Sequence, residues 1–212
     1  MERPSDALLS VCSKSGGAQQ IIQTVRHTHP ATRYSPLFCG YLRHCVANGP
    51  AHWAPLDPAL CLRTDVDWFD EAKRVFLVEK PEHFTDFNHC EECADHDETL
   101  RSSSVEQIGL EQLGNPGWDP LCFCSTEGLK YYLPALVRLS VETIEREFYF
   151  EQLLFHLAYA GAENRLLQGC SASQREFVAA FLAHMIFTYP NELERNTSVE
   201  EALSTHELWS KA

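Results

Sequence analysis

Proline and glycine cut this chain into segments whose apolar residues recur at helical spacing, and that repeated pattern is what most restricts the fold. In residues 68–77, Phe69, Ala72, Val75 and Phe76 fall on one face, as the 3.6-residue period of a helix with one buried stripe requires. The same reading predicts helices over residues 18–26, 36–47, 135–147 and 148–160, the last broken at Gly161. Asn48-Gly49-Pro50 ends one helix, and Pro55 and Pro58 hold the following residues extended, so 51–62, with His52 and Trp53, read as a loop. Ser173 with Glu176, and Ser198 with Glu201, have capping-box spacing. They predict one helix running to Thr188, stopped by Pro190, and a last amphipathic helix through Trp209.

Residues 121–132 have a different pattern. Leu121-Cys122-Phe123-Cys124 and Leu129-Lys130-Tyr131-Tyr132 flank Ser125-Thr126-Glu127-Gly128, which predicts a short β-hairpin closed by a positive φ at Gly128. The expected fold class is therefore mainly α (α+β), a helical domain with one short β-hairpin near its middle. A chain of 212 residues suits a single domain, divisible into a helical amino-terminal subdomain, 1–78, and a core, 79–212.

Charge narrows the range of partners. Thirty acidic against 17 basic side chains give a formal charge of -13. Such a field repels phosphate backbones and anionic headgroups and steers encounter with a basic protein, so neither nucleic acid nor membrane is expected as a partner. The most apolar stretch, residues 177–189, is shorter than the roughly 20 residues a membrane span needs. Nine cysteines without an export signal predict reduced thiols and a cytoplasmic location.

Two dense stretches carry the candidate chemistry. The first runs His89-Cys90-Glu91-Glu92-Cys93-Ala94-Asp95-His96-Asp97-Glu98. Cys90 and Cys93 with His89 and His96 are zinc-ligand types at zinc-ligand spacing, and Cys122 and Cys124 offer a second pair able to close onto them. On a helix, His89, Cys93 and His96 would share one stripe, and Cys90, Cys93 and Asp97 another. The alternative is that the two thiols pack a helix whose carboxylates are its solvated face. The pair His96-Asp97 also fits the metal-binding His-Asp of helical phosphohydrolases, with His52 or His83 and Asp119 available as further ligands. No nucleophile elbow, phosphate-binding glycine loop, His-Glu-x-x-His or dinucleotide fingerprint is present.

The second stretch, Leu113-Gly114-Asn115-Pro116-Gly117-Trp118-Asp119-Pro120, is a rigid loop. Trp118 and Asp119 there read either as a recognition surface, tryptophan being a frequent interface anchor, or as a core plug in the case of Trp118. His156 and His184 lie within apolar helical patterns and read as core histidines.

The strings His-Cys-Glu-Glu-Cys-Ala-Asp-His-Asp-Glu-Thr-Leu and Leu-Gly-Asn-Pro-Gly-Trp-Asp-Pro, with Glu-Gly-Leu-Lys-Tyr-Tyr-Leu-Pro-Ala-Leu after them, resemble a bacterial family of unknown function, which implies no particular reaction. In size and acidity the chain is also similar to the immunity proteins that neutralise nuclease effectors of type VI secretion. That resemblance implies a protein-binding inhibitor of a basic toxin and no catalysis, with Trp118, Asp119, Glu91, Glu92 and Asp95 as the expected partner-binding residues. The alternative is a metal-dependent hydrolase centred on His89, Cys93, His96 and Asp97, or a protein with structural zinc on Cys90, Cys93, His89 and His96.

Overall fold

The computed structural model describes residues 66–212, which lie in a compact unit spanning Asp57–Ala212. The helices expected over 18–26 and 36–47, and the loop carrying His52 and Trp53, lie outside the described residues. The described elements are helices only: α1 (Trp68–Val75), α2 (Glu91–Ser102), α3 (Leu110–Leu113), α4 (Thr126–Glu142), α5 (Phe150–Ala158), α6 (Arg165–Gly169), α7 (Ala172–Thr188), α8 (Pro190–Arg195) and α9 (Val199–Ser210), with 3₁₀ turns at Pro116–Trp118, Pro120–Phe123 and Gly161–Glu163. None of these helices is long and apolar enough to cross a membrane.

α4 and α7 form the centre. α7 is buried at Phe177, Val178, Ala179 and every position from Phe181 to Ile186, the pattern of a helix covered on nearly all sides. α9 packs on α7 and α5, and α1 packs on α4 and α7. Trp68 of α1 meets Phe177, Phe181 and His184 of α7 with ring centroids 4.9–5.9 Å apart. At the other end Trp209 is 2% exposed, and its indole N–H donates to the Leu157 carbonyl at 2.9 Å. That bond removes the cost of burying an unpaired polar edge.

Local capping sets where the helices begin. Asp67 accepts from the Asp70 amide at 3.0 Å and starts α1. Ser171, with Gln174 reaching back to its amide, starts α7. The capping box thus sits two residues before the Ser173 and Glu176 positions expected from the sequence, because glutamine serves the reciprocal role as well as glutamate. α7 ends at Thr188 as expected, yet Pro190 opens α8 rather than a loop, since a proline at the first helical position has no amide to leave unpaired.

The expected β-hairpin does not form, and no strand occurs among the described residues. Asp119 and Pro120 wind residues 120–123 into a 3₁₀ turn, with the Asp119 carboxylate accepting from the Leu121 amide. Ser125 then accepts from the Gly128 amide at 3.1 Å and nucleates α4. Gly128 is needed for space and not for a turn: a Cβ there would lie 2.3 Å from Cys124 Sγ and 2.9 Å from Phe84 Cδ1. α4 passes through Pro134 without stopping, so the helix expected over 135–147 starts earlier and ends sooner. Tyr132, read as strand, is a core residue of α4 whose hydroxyl donates to the Leu100 and Ser103 carbonyls at the end of α2.

Candidate functional site

α2 and the 3₁₀ turns packed against it bring the two dense stretches together. α2 is held from below by Asp97, which is 2% exposed. One carboxylate oxygen accepts from the Phe84 and Thr85 amides at 2.6 and 3.2 Å, and the other meets His83 Nδ1 at 2.7 Å. Burial pushes Asp97 up, but the His83 and backbone hydrogen bonds outweigh it and leave the carboxyl below its ordinary value. Asp97 therefore fastens the loop before α2.

Cys90 caps α2, its sulfur accepting from the Cys93 amide at 3.4 Å. Cys93 sits one turn in, buried, with His89 Nδ1 3.6 Å from its sulfur. His89, Cys90 and Cys93 each have a ligand atom within 4.8 Å of the others, a spacing that can accept a metal ion. His96 does not join them. Its ring is 1% exposed and lies against Trp118 at 4.7 Å and Phe123 at 4.9 Å, while Nε2 is 3.6 Å from Glu92 and has no hydrogen-bond partner among the described residues. The residues expected to centre a hydrolase, His89, Cys93, His96 and Asp97, thus divide among three different neighbourhoods, and a closed four-ligand set is not assembled from the described residues. Cys122 and Cys124 do not close onto the cluster either. Cys124 is buried against Gly128 and is pushed up to about 12 by that burial.

Above His96 stand two large side chains in solvent, Trp118 at 48% and Phe123 at 42% exposure. The Phe123 ring is stacked on the imidazole with an interplanar angle of 20°. Asn115 holds the tryptophan turn by accepting from the Gly117 amide. Beside this aromatic step runs α2, with Glu91 and Asp95 exposed and Glu92 half-buried at the edge of His96. The sequence reading missed Phe123 because it was assigned to a strand; its spacing from Trp118 carries no helical or strand signature.

Asp119, expected beside Trp118 on the surface, points the opposite way. It is 3% exposed and accepts from Gln152 Nε2 at 2.6 Å and the Leu121 amide at 2.9 Å, and pairs with His156 Nε2 at 2.7 Å. A buried carboxylate is retained only when its lone pairs are satisfied, and two of these partners, Gln152 and His156, come from α5, which the local sequence does not disclose. Burial pushes Asp119 up, yet His156, Gln152 and Leu121 together hold it below its ordinary value. Asp119, Cys122 and His156 form a second group whose ligand atoms lie within 4.8 Å of one another. Cys122 and His156 of this group border a cavity of about 360 Å³ lined also by Phe155, Tyr159 and Arg165. Cys122 is an exposed residue whose thiol is not activated there, since partial desolvation of the sulfur and the Asp119 charge push it up.

Compared with known proteins, the chain matches no family model, no curated protein and no solved structure.

Proposed function

We propose that this chain is a cytoplasmic binding protein that captures and neutralises a basic protein partner, as an immunity-type inhibitor of a secreted nuclease effector does. One observation carries the reading: Trp118 and Phe123, both exposed, each pack on the buried His96 ring, whose Nε2 lies 3.6 Å from the Glu92 carboxylate of α2. Tryptophan and other aromatics exposed at a surface are frequent interface anchors. Aromatic faces edged by carboxylates suit arginine and lysine side chains, which gain cation–π attraction and a nearby counter-charge together. The formal charge of -13 supports steering toward such a partner. Glu91, Glu92 and Asp95 are assigned to that contact; Asp119 is assigned to holding the turn that presents Trp118. The hydrolase alternative draws less support, because the residues it requires face apart.

The test is a pull-down with tagged full-length protein from its own cells at low and high salt, with bound proteins identified by mass spectrometry. A dominant basic partner in defined stoichiometry, captured more slowly at high salt and lost from the Trp118→Ala, Phe123→Ala double variant, supports the proposal. The absence of such a partner, or its undiminished retention by the double variant, overturns it. Thermal unfolding of the variant separates lost contact from lost fold.

A further inference from the structure

The paired thiols at the start of α2 have an asymmetry that the binding role does not use. Cys90 is exposed and its sulfur is the cap of a 12-residue helix; Cys93 is 6% exposed and lies directly behind it. The two sulfurs and His89 Nδ1 all lie within 4.8 Å of one another. Cys90 sits at the extended cap position and Cys93 at the third residue of the helix, so their two sulfurs, within 4.8 Å of each other, share the same end of α2. A disulfide of about 2.05 Å requires the sulfurs to approach further, with Cβ atoms about 3.5–4.5 Å apart. Exposed first thiol, shielded second thiol and adjacent imidazole are the three parts of a dithiol that exchanges with disulfides.

We propose that Cys90 and Cys93 form a redox-active dithiol that reduces small or protein disulfides and is itself converted to an intramolecular disulfide, with Cys90 as attacking and Cys93 as resolving thiol. The Cys90 thiolate attacks one sulfur of a disulfide RS–SR; a Cys90–SR bond forms and RS⁻ leaves. Cys93 then gives its proton to His89 Nδ1, 3.6 Å away, and its sulfur attacks Cys90 Sγ. The Cys90–Cys93 bond forms, the second RS⁻ leaves, and both leaving thiolates take up the released protons. Two thiol hydrogens and two electrons have passed to RS–SR, giving two RSH.

The electrostatics agree with this division of labour. The Cys93 amide, then the Cys93 thiol and His89, hold Cys90 below the ordinary thiol value, as a helix start does for a thiolate. Cys93 is pushed up by its hydrogen bond to Cys90, by burial and by the charges of Cys90, Glu92 and Asp86. The exposed Cys122, whose thiol is pushed up, is a control within the same chain. The inference is independent of the partner-binding role.

The experiment equilibrates reduced, chelator-treated full-length protein with mixtures of reduced and oxidised glutathione, quenches by alkylation and locates each thiol by peptide mass spectrometry. A Cys90–Cys93 disulfide is expected, formed in one two-electron transition. Cys93→Ser is expected to accumulate glutathione on Cys90, and Cys90→Ser to leave Cys93 unmodified, with circular dichroism confirming that both fold. At neutral pH Cys90 should alkylate about tenfold faster than Cys122. Equal alkylation rates overturn the proposal, as does glutathione persisting on Cys90 in the unaltered chain. Tight zinc binding that requires both thiols and blocks their oxidation before chelation, together with no disulfide after it, assigns the pair to metal instead.

Discussion

The Oδ2 atom of Asp119 lies 2.7 Å from Nε2 of His156, 37 positions further along the chain. This contact joins the tryptophan-bearing turn to α5 and fixes which way the loop faces. Removing one member of a buried pair leaves the other unpartnered in a medium that solvates it poorly. Asp119→Ala is expected to lower unfolding free energy by about 3 kcal/mol, since His156, Gln152 and the Leu121 amide all lose their acceptor. Chemical denaturation measures it; a loss well under 1 kcal/mol would show that the turn is held by other contacts.

Acid should act on the same contacts. Asp97 and Asp119 are both held below their ordinary value of 3.8 by hydrogen bonds that outweigh burial. A carboxyl depressed in the fold contributes stability that is complete above the unfolded value and drains as pH falls through the folded one. Stability should therefore fall steeply below about pH 4, and Asp119→Asn should make that limb shallower. An unchanged acid limb in this variant contradicts the assignment.

His184 acts in a different window. Burial against Trp68 lowers it from 6.5 to about 4, so between those values the unfolded chain takes up a proton that the fold refuses. Stability contributed by neutral His184 is thus complete above about pH 6.5 and lost progressively toward pH 4. Replacing it in His184→Phe should flatten the stability profile across that interval, measured by denaturant midpoints at half-unit steps, and leave the limb below pH 4 in place.

Gly128 tests packing. Gly128→Ala places a methyl 2.3 Å from Cys124 Sγ, and overpacking of this kind costs about 2 kcal/mol. Cys124→Ala in the same chain should recover part of that loss, because it removes the nearest obstructing atom while Phe84 remains. Additive destabilisation in the double variant would refute the contact.

Capping discriminates between neighbouring serines. Ser171→Ala should cost about 1 kcal/mol, because Ser171 accepts from the Gln174 amide. Ser173→Ala, at the exposed second position of α7, where the hydroxyl meets the Ser171 hydroxyl at 3.1 Å and accepts from no backbone amide among the described residues, should stay within about 0.5 kcal/mol. Thermal melts compare the two, and equal losses would place the cap elsewhere.

Much of the helical architecture could be read directly from local pattern. The helix α1, the stop after Thr188 and the helix through Trp209 follow from periodicity and from where proline is tolerated, which are properties of neighbours in sequence, although α1 and its cap bury Trp68, Ala72 and Phe76 and leave Phe69 and Val75 of the expected face half-buried. Of the expected cluster, His89, Cys90 and Cys93 come together as their spacing implies, whereas His96 turns to Trp118 and Phe123 and Cys90 is the cap of α2 instead of part of its stripe. Tertiary structure decided the rest. Leu121-Cys122-Phe123-Cys124 is too short to settle between strand and turn, and Asp119 settled it as a 3₁₀ turn by finding partners on α5. The same long-range bond sent Asp119 inward and left Trp118 and Phe123 outward over His96. Periodicity reports which face a residue occupies on its own helix; which neighbour that face meets depends on packing between segments far apart in sequence, and local pattern carries no record of it.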